Sequence, residues 1–322
     1  MKRIAALTSG GDSPGMNACL VALARYGAQL GVEILGARSG FAGLAEGRLE
    51  PLAAFDDGTL AARSGTVLGT SRDRSFASEE GVKRLSQEVA DYGLEGLVVL
   101  GGDGSFRHGM PLAGQLGLAA IGIPSTIDND VWGSDWTLGF DSACNLTLGL
   151  LDGLNATGSS LGERVFALET LGGHTGHIAL RVAEVGQADY VLVPEVEPDL
   201  LHATEAVNRA LAQRGWVVLV IGEGAPEARL VAEKLSEAAG CRLRYSATGH
   251  AARGAPVSGL DRWLARLWAE RALDLLLEGQ TGLVLGYTNR LVELPLAEVA
   301  TQPKQLDMAL YERINARWGG SL

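Results

Sequence analysis

The sequence predicts an α/β protein with two domains, in which helices cover both faces of largely parallel sheets. Short apolar runs alternate with segments of helical periodicity along most of the chain. This is the pattern of parallel strands that are buried on both faces. The length of 322 residues exceeds what one hydrophobic core usually holds and fits two domains.

Seven apolar runs are predicted to be strands, and a helix is predicted over residues 16–31, after the first of them. The predicted strands are residues 4–8, 32–38, 97–100, 119–123, 165–169, 190–194 and 216–221. The last three are assigned to a second unit. No solenoid repeat, low-complexity tract or Pro-rich linker interrupts the alternation.

Composition favours a compact protein with a large hydrophobic core. Hydrophobic residues make up 47% of the chain, so a large core is expected and disorder is not. A net charge of -11 disfavours nucleic acid and anionic membranes as partners. Without a signal peptide or a long apolar run, a soluble cytoplasmic protein is expected. Cys19, Cys144 and Cys241 lack metal-ligand spacing and are expected to be buried, reduced thiols.

Acidic residues follow four of the apolar runs. Asp12, Asp103 and Glu223 each come directly after a glycine, and Asp128 and Asp130 follow the fourth predicted strand. In parallel α/β sheets, ligands bind beyond the carboxyl ends of the strands. Glycine and aspartate also make ordinary turns and helix caps. Recurrence at four strand ends favours a binding site.

Two glycine-rich segments have the composition of phosphate-binding loops. Residues 10–15 lie between a predicted strand and a helix, where backbone N–H groups and the helix N-terminus favour anions. They lack the Gly-Lys-Ser/Thr ending of a Walker loop and the dinucleotide fingerprint. Residues 101–105 add Asp103, a carboxylate suited to Mg²⁺ beside phosphates. This second segment also resembles the phosphate loop of NAD kinases and lipid kinases, and a plain glycine turn remains an alternative.

The segment from Thr126 to Asp130 carries two acids two residues apart. If the segment is extended, both carboxylates point the same way. One can then accept a proton from an attacking hydroxyl while the other helps to hold a metal, which suits phosphoryl transfer. A polar loop with Asx turns is the alternative.

Basic residues near the ends of predicted elements could grip a phosphate. They are Arg164, Arg244, His250 and Arg253. Arginine binds phosphate through two parallel hydrogen bonds, although each of these residues taken alone fits a solvated surface charge better than a phosphate ligand.

Together these motifs resemble bacterial ATP-dependent 6-phosphofructokinases over nearly the whole chain. The resemblance is carried by residues 7–18, 101–105, 126–130, 139–143, 163–164, 222–224, 249–250, 253 and 261–262. NAD and lipid kinases do not share the Thr-Ile-Asp-Asn-Asp segment. The resemblance implies two similar domains, each a largely parallel sheet flanked by helices. A nucleotide-binding domain would comprise residues 1–140 plus about 252–303, and a sugar-phosphate-binding domain residues 141–251 plus about 304–322.

The resemblance also implies an activity and residue roles. The enzyme would transfer the γ-phosphoryl group of ATP to the 1-hydroxyl of fructose 6-phosphate in glycolysis, with Asp128 as base and Thr126 beside the transferred group. Nucleotide and Mg²⁺ ligands would be Gly11, Arg72, Asp73, Gly102, Asp103 (for the metal), Gly104 and Ser105. Substrate ligands would be Thr126, Asp128, Asp130, Arg164, Leu171, Gly172, Gly173, Glu223, Arg244, His250 and Arg253. A homotetramer with shared active sites is implied, in which Arg164 and Arg244 reach a neighbouring subunit's substrate.

Small residues at Gly104 and Ser125 favour ATP over pyrophosphate, because pyrophosphate-using relatives tend to carry aspartate and lysine there. Several other positions depart from the family pattern. Gly173 stands where an arginine is usual and is expected to slow catalysis unless Arg72 or Arg74 compensates.

Further departures concern specificity and regulation. Asp73 and His108 are unusual beside a nucleoside. Val21 and Asn155 replace effector-site arginines, so weak responses to phosphoenolpyruvate and ADP are expected, although Arg25 and Arg214 remain. A kinase with an altered donor or ketose phosphate and a weakly active regulatory paralogue remain alternatives.

Overall fold

A computed structural model describes residues 2–73 and 75–318. The chain divides into two compact units, each described separately below. Unit 1 comprises Met1–Ser142 and Arg253–Lys304, and unit 2 comprises Ala143–Ala252 and Gln305–Leu322.

Unit 1 contains a seven-stranded sheet in the order β11-β10-β5-β4-β1-β2-β3. Its strands are β1 (Arg3–Thr8), β2 (Glu33–Ala37), β3 (Leu49–Pro51), β4 (Gly96–Gly101), β5 (Ala119–Pro124), β10 (Leu283–Tyr287) and β11 (Leu291–Pro295). The five inner strands run parallel, whereas the edge strands β3 and β11 pair antiparallel with their neighbours. The carboxyl ends of β1, β4 and β5 therefore lie side by side.

Helices cover both faces of this sheet. They are α1 (Met16–Leu30), α2 (Gly40–Leu44), α3 (Glu79–Asp91), α4 (Asp103–His108), α5 (Pro111–Gln115), α10 (Gly259–Leu277) and α11 (Leu296–Val299). Ile4 and Ala6 belong to one core cluster, whereas Ala5 and Leu7 belong to another. Because side chains alternate along a strand, the apolar residues 4–7 of β1 require cover on both faces.

Unit 2 contains a four-stranded, fully parallel sheet in the order β7-β8-β6-β9. Its strands are β6 (Arg164–Thr170), β7 (Tyr190–Leu192), β8 (Trp216–Gly222) and β9 (Arg242–Ala247). Its helices are α7 (His177–Val185), α8 (Leu200–Arg214), α9 (Ala228–Ala238) and α12 (Met308–Asn315), while α6 (Phe140–Leu161) begins in unit 1 and continues into unit 2. Short 3₁₀ turns occur at Leu52–Phe55, Leu60–Ala62, Ser75–Ala77 and Gly249–Gly254.

All seven predicted strands are confirmed, with ends that differ by one or two residues. The predicted helix over 16–31 ends at Leu30, because Gly31 adopts the left-handed conformation (φ 70°) and caps it. β3, β9, β10 and β11 were not predicted. β9 is an exposed edge strand with three arginine or serine positions among its six residues, so it lacks an apolar run.

Two further expectations are tested by burial and helix length. Cys19 and Cys144 are buried, but the prediction is wrong for Cys241, which is half-exposed just before β9. Over residues 2–73 and 75–318, no helix is long and apolar enough to cross a membrane.

Candidate active site

A cavity of about 290 Å³ lies at the carboxyl ends of β1, β4 and β5 in unit 1. Backbone hydrogen bonds hold the three strand ends together, from Ser9 N to Leu100 O (2.9 Å) and from Ser125 N to Gly101 O (2.8 Å). The lining residues are Ser9, Gly10, Gly11, Ser71, Arg72, Asp73, Phe76, Gly102, Asp103, Gly104, Ser105, His108, Gly109, Ser125, Thr126, Asp128, Asp130 and Arg253. The three acid-bearing segments of unit 1 that were predicted to form a site thus contribute to one cavity, although Asp12 is not among its lining residues.

The second glycine segment is only partly a loop. β4 continues through Gly101, and α4 already begins at Asp103, so the prediction of a loop over 101–105 is wrong for its second half. Glycine is required by close packing here: a Cβ on Gly101 would lie 2.5 Å from Ser105 Oγ, and one on Gly102 would lie 3.2 Å from Thr126 Cβ. These contacts bring the helix start against the neighbouring strand end.

Two arginines converge on the first glycine segment. A Cβ on Gly11 would lie 2.6 Å from Nη1 of Arg253 and 3.6 Å from Nη2 of Arg72. Arg253 Nη1 also donates to the carbonyl of Asp12 at 3.2 Å. The glycine thus leaves room for two guanidinium groups beside exposed backbone, which is a favourable environment for phosphate. Arg253, predicted as a sugar-phosphate ligand, therefore lies among the predicted nucleotide ligands of unit 1.

The segment 126–130 is a tight turn, and the extended conformation considered from the sequence is wrong. Asn129 is left-handed (φ 54°), and its Nδ2 donates to Asp135 O at 2.9 Å. Thr126 is fixed at both ends, because its carbonyl accepts from Thr137 Oγ1 (2.6 Å) and its Oγ1 accepts from Asp128 N (3.2 Å). The buried side-chain amide of Asn129 holds this turn, and the turn places Thr126, Asp128 and Asp130 on the cavity lining. The arrangement does not depend on the alternation of side chains along a strand.

The acids of the cavity influence one another. Burial, followed by the charges of Asp128 and Asp103, raises the pKa of Asp130 to about 6. Burial also lowers the pKa of Lys304 to about 8, against the attraction of Asp135 and Asp130. Lys304 is therefore a neighbouring cation that sequence reasoning missed, because no local spacing links it to the turn.

The carboxylates fit a Mg²⁺ ion that is completed by phosphate and water. Within the described part of the chain, no group of three or more His, Cys, Asp or Glu side chains is arranged to hold a metal alone. Mg²⁺ usually takes only one or two carboxylates together with substrate phosphates. Asp130 Oδ1 is buried and receives no hydrogen bond from any described residue, and Asp103 lies at the start of α4 on the same cavity. These oxygens are hard ligands of the kind that Mg²⁺ requires.

An aromatic ring and further polar side chains also line this cavity. Phe76 lines it and stacks on Phe41, with ring centroids 4.9 Å apart. Asp73 accepts from Ser75 N and Ser75 Oγ, both at 2.8 Å, and these bonds lower the pKa of Asp73. His108 is exposed on the same cavity. Arg74 lies outside the described residues.

In unit 2, the ends of β6 and β8 are joined by Glu223. Its backbone N donates to Thr170 O at 2.9 Å, and its Oε2 accepts from Gly173 N at 3.0 Å. Gly173 is left-handed (φ 62°), and a Cβ on Gly172 would lie 2.5 Å from Thr175 O. Leu171 is buried. The structure therefore brings together the predicted residues 171–173 and Glu223.

The remaining predicted phosphate ligands of unit 2 are distributed around its edge. Arg164 Nη1 donates to Glu163 O at 2.9 Å, while its Nε is buried without a partner among the described residues. Arg244 is exposed on the edge strand β9, and His250 is exposed in the following 3₁₀ turn.

Comparison with known proteins identifies the family. The model of the phosphofructokinase family matches residues 3–276. The ATP-dependent 6-phosphofructokinase 1 of Thermus thermophilus is 40% identical over 316 residues, covering 96% of this chain and 97% of that protein. The ATP-dependent 6-phosphofructokinase of Halalkalibacterium halodurans is 37% identical over 314 residues, covering 97% and 98%. The chain belongs to the phosphofructokinase family.

A solved structure agrees with this assignment. The phosphofructokinase of Saccharomyces cerevisiae matches with a TM-score of 0.83 at 30% identity, covering 93% of this chain and 45% of the yeast chain. The chain thus spans less than half the length of its yeast relative.

Proposed function

We propose that this protein is an ATP-dependent 6-phosphofructokinase, which transfers the γ-phosphoryl group of ATP to the 1-hydroxyl of fructose 6-phosphate in glycolysis. The observation that carries the proposal is the cavity of unit 1, where Thr126, Asp128 and Asp103 lie with Arg72 and Arg253 beside a glycine segment. Phosphoryl transfer needs positioning, a base and charge neutralisation, and this cavity contains groups for each.

Asp128 is the proposed general base. As the 1-oxygen of the sugar forms its bond to the γ-phosphorus, the hydroxyl proton passes to the Asp128 carboxylate. The bond from the γ-phosphorus to the β–γ bridging oxygen breaks, and ADP leaves with that electron pair. The Thr126 hydroxyl, oriented by its bond with Asp128 N, lies beside the transferred group. Arg72 neutralises phosphate charge during the transfer.

Asp103, with Asp130, would hold Mg²⁺. When bound, this ion neutralises phosphate oxygens during transfer. The buried, unpaired oxygen of Asp130 supports this assignment, because a buried carboxylate oxygen is costly unless it has a partner.

The sugar-phosphate ligands are proposed to be Arg164, Glu223, Arg244 and His250 from unit 2, together with Arg253. In the family arrangement, Arg164 and Arg244 serve a neighbouring subunit, so we also propose a cytoplasmic homotetramer. The exposure of Arg244 on an edge strand and the unpartnered Nε of Arg164 support this, since both side chains have bonding capacity to offer.

The donor is proposed to be a nucleotide rather than pyrophosphate. A Cβ on Gly104 would meet nothing within 4 Å, so the cavity has space beside this residue. A kinase with an altered nucleotide preference is a second candidate, because Asp73 and His108 line the cavity and Asp73 is ionised at neutral pH.

A coupled assay of the purified chain tests both candidates. ATP, GTP and pyrophosphate are each compared as donors with fructose 6-phosphate, and ATP is then tested with other ketose phosphates. Higher kcat/KM for ATP with fructose 6-phosphate than for any other pair supports the proposal. A higher value for GTP favours the second candidate, and failure of every pair while the nucleotide still binds favours a regulatory paralogue.

A further inference from the structure

Arg107 forms an ion pair with the proposed Mg²⁺ ligand. Its Nε lies 2.6 Å from Asp103 Oδ1, one helical turn along α4. The two side chains are only 34% and 28% exposed, so water screens this pair less than a fully exposed one. The contact engages one oxygen of Asp103 and leaves the second oxygen of the carboxylate for another ligand.

The pair places a permanent positive charge beside a cluster of negative ones. Arginine remains protonated at any physiological pH. Asp103, Asp128 and Asp130 share the cavity. Without Arg107, less positive charge would offset these three carboxylates, so a free divalent cation would be attracted to Asp103 more strongly.

We propose that Arg107 is a positioning residue that makes cation binding at Asp103 depend on bound nucleotide. It opposes the binding of free Mg²⁺ by repulsion and by occupying one carboxylate oxygen. Nucleotide phosphates carry several negative charges, which offset this repulsion. Mg²⁺ therefore binds as its complex with the nucleotide. The inference rests on the proposed function in one respect, namely that Asp103 holds the metal.

The consequence is a coupling between two ligands. Coupling is reciprocal: if nucleotide tightens cation binding by some factor, the cation tightens nucleotide binding by the same factor. Removing the charge of Arg107 should strengthen the binding of free cation and thereby reduce that factor.

The test measures Mn²⁺ binding by electron paramagnetic resonance, with Mn²⁺ as the probe for the Mg²⁺ site. The full-length chain is titrated alone and with the non-hydrolysable β,γ-imido analogue of ATP. Arg107→Met is expected to lower the Kd for Mn²⁺ alone about tenfold and to reduce the coupling factor by a similar amount. Arg107→Lys retains the charge and should remain within about twofold of the wild type.

Two control variants are included. The first tests whether loss of any helical ion pair has the same effect, and the second separates failure of this inference from failure of the proposed function. Arg266→Met removes a comparable i,i+4 pair, Arg266 Nε to Glu270 Oε1 at 2.7 Å, elsewhere in unit 1 and should leave Mn²⁺ binding unchanged. Asp103→Asn should weaken Mn²⁺ binding. If Asp103→Asn has no effect, the proposed metal ligand is wrong.

If Asp103→Asn weakens binding but Arg107→Met leaves it unchanged or weaker, the inference about Arg107 is overturned while the proposed function stands. A purely structural role of Arg107 would give that result, with a lower melting temperature and an unaltered coupling factor.

Discussion

In each unit, a glycine followed by an acid comes at or just after the end of a central strand, yet the two acids have different roles. After β4 in unit 1, Asp103 begins a helix, lines a cavity and pairs with Arg107. After β8 in unit 2, Glu223 accepts a hydrogen bond from Gly173 N and fixes the end of the neighbouring strand β6. The same two-residue pattern thus supplies charge to a site in one unit and holds backbone in the other.

The difference arises from the residues that follow. Asp103 starts α4 directly, where a negative charge is favoured at the first turn. Glu223 is followed by Gly224, which is left-handed (φ 77°) and turns the chain back toward Gly173 O. We expect substitution of Asp103 to act on the proposed chemistry, and substitution of Glu223 to disturb the backbone at the ends of β6 and β8 as well.

The largest effect is expected from Asp128→Asn, which removes the proposed base of unit 1. Loss of a positioned acid–base group typically lowers the rate by about 10²- to 10⁴-fold. KM for fructose 6-phosphate should change far less, because the proposed phosphate ligands remain. Steady-state kinetics checks this, with Asp91→Asn, outside the cavity lining, as the control. Turnover near the wild-type value would remove Asp128 from the mechanism.

A second comparison concerns fully buried carboxylates. In unit 1, Asp261 accepts from Gly139 N (2.9 Å), Ser142 N (3.0 Å) and Ser142 Oγ, with no cation among these donors. Burial raises its pKa to about 6 despite these bonds. In unit 2, Asp189 accepts from Val218 N and pairs with Arg214, whose charge opposes the effect of burial on the pKa.

Asp261→Ala is therefore expected to lower the free energy of unfolding by about 4 kcal/mol at pH 5, since three buried donors lose their acceptor. The carboxyl pKa of Asp261 is higher in the folded protein, so the folded protein binds the proton more tightly than the unfolded chain does. The stability that comes from this proton binding is lost as the pH rises through about 6. The destabilisation should therefore be smaller at pH 8 than at pH 5. Urea denaturation at both pH values checks this. Asp189→Ala should show less pH dependence, and equal dependence would contradict the comparison.

A smaller effect is expected at the backbone of unit 2. By family analogy, an arginine at Gly173 would stabilise charge on the transferred phosphoryl group, so Gly173→Arg should raise kcat, by about tenfold, with less effect on KM. Gly173 is left-handed (φ 62°), which costs an L-residue about 1–2 kcal/mol. The melting temperature should therefore fall. Gly172→Arg is the control, because its Cβ would lie 2.5 Å from Thr175 O. This variant should lower the melting temperature without raising kcat.

An unchanged or lower kcat for folded Gly173→Arg would mean that another cation already compensates. Arg72 and Arg253, which converge on Gly11, are the first candidates among the described residues. Substitution of Arg72 or Arg253 should then lower kcat more in the wild type than in the Gly173→Arg variant.

Much of the fold was predictable because apolar runs identify strands whatever their partners. The sequence also predicted that Asp103, Thr126 and Asp128 share a site, since adjacent parallel strands end at one edge. It left open whether residues 126–130 are extended or form a polar turn, because no local spacing signals the hydrogen bond from Asn129 Nδ2 to Asp135 O that holds the turn. Lys304 was missed for the same reason, whereas Arg107 follows Asp103 at i+4 and could have been found from helical spacing.

The smallest effect is expected at Arg25 and Arg214, one in each unit, which the family resemblance assigns to a predicted effector site. Arg25 Nε pairs with Asp56 Oδ2 at 2.8 Å in unit 1, and Arg214 pairs with Asp189 in unit 2. Each charge is thus already offset within its own unit, which adds to the weak effector response expected from Val21 and Asn155, where the family usually has arginine. An anionic effector can shift a conformational equilibrium only through differential affinity for its states.

Phosphoenolpyruvate or ADP should therefore change the half-saturating concentration of fructose 6-phosphate by less than about twofold. Initial-rate measurements at several effector concentrations check this. Asp56→Ala frees Arg25, and any weak response should increase in that variant, whereas Asp57→Ala, one residue along, should leave it unchanged. A clear sigmoidal shift of the wild type at sub-millimolar phosphoenolpyruvate would contradict the argument, because it would require a site that binds the anion without these two arginines or that breaks both ion pairs.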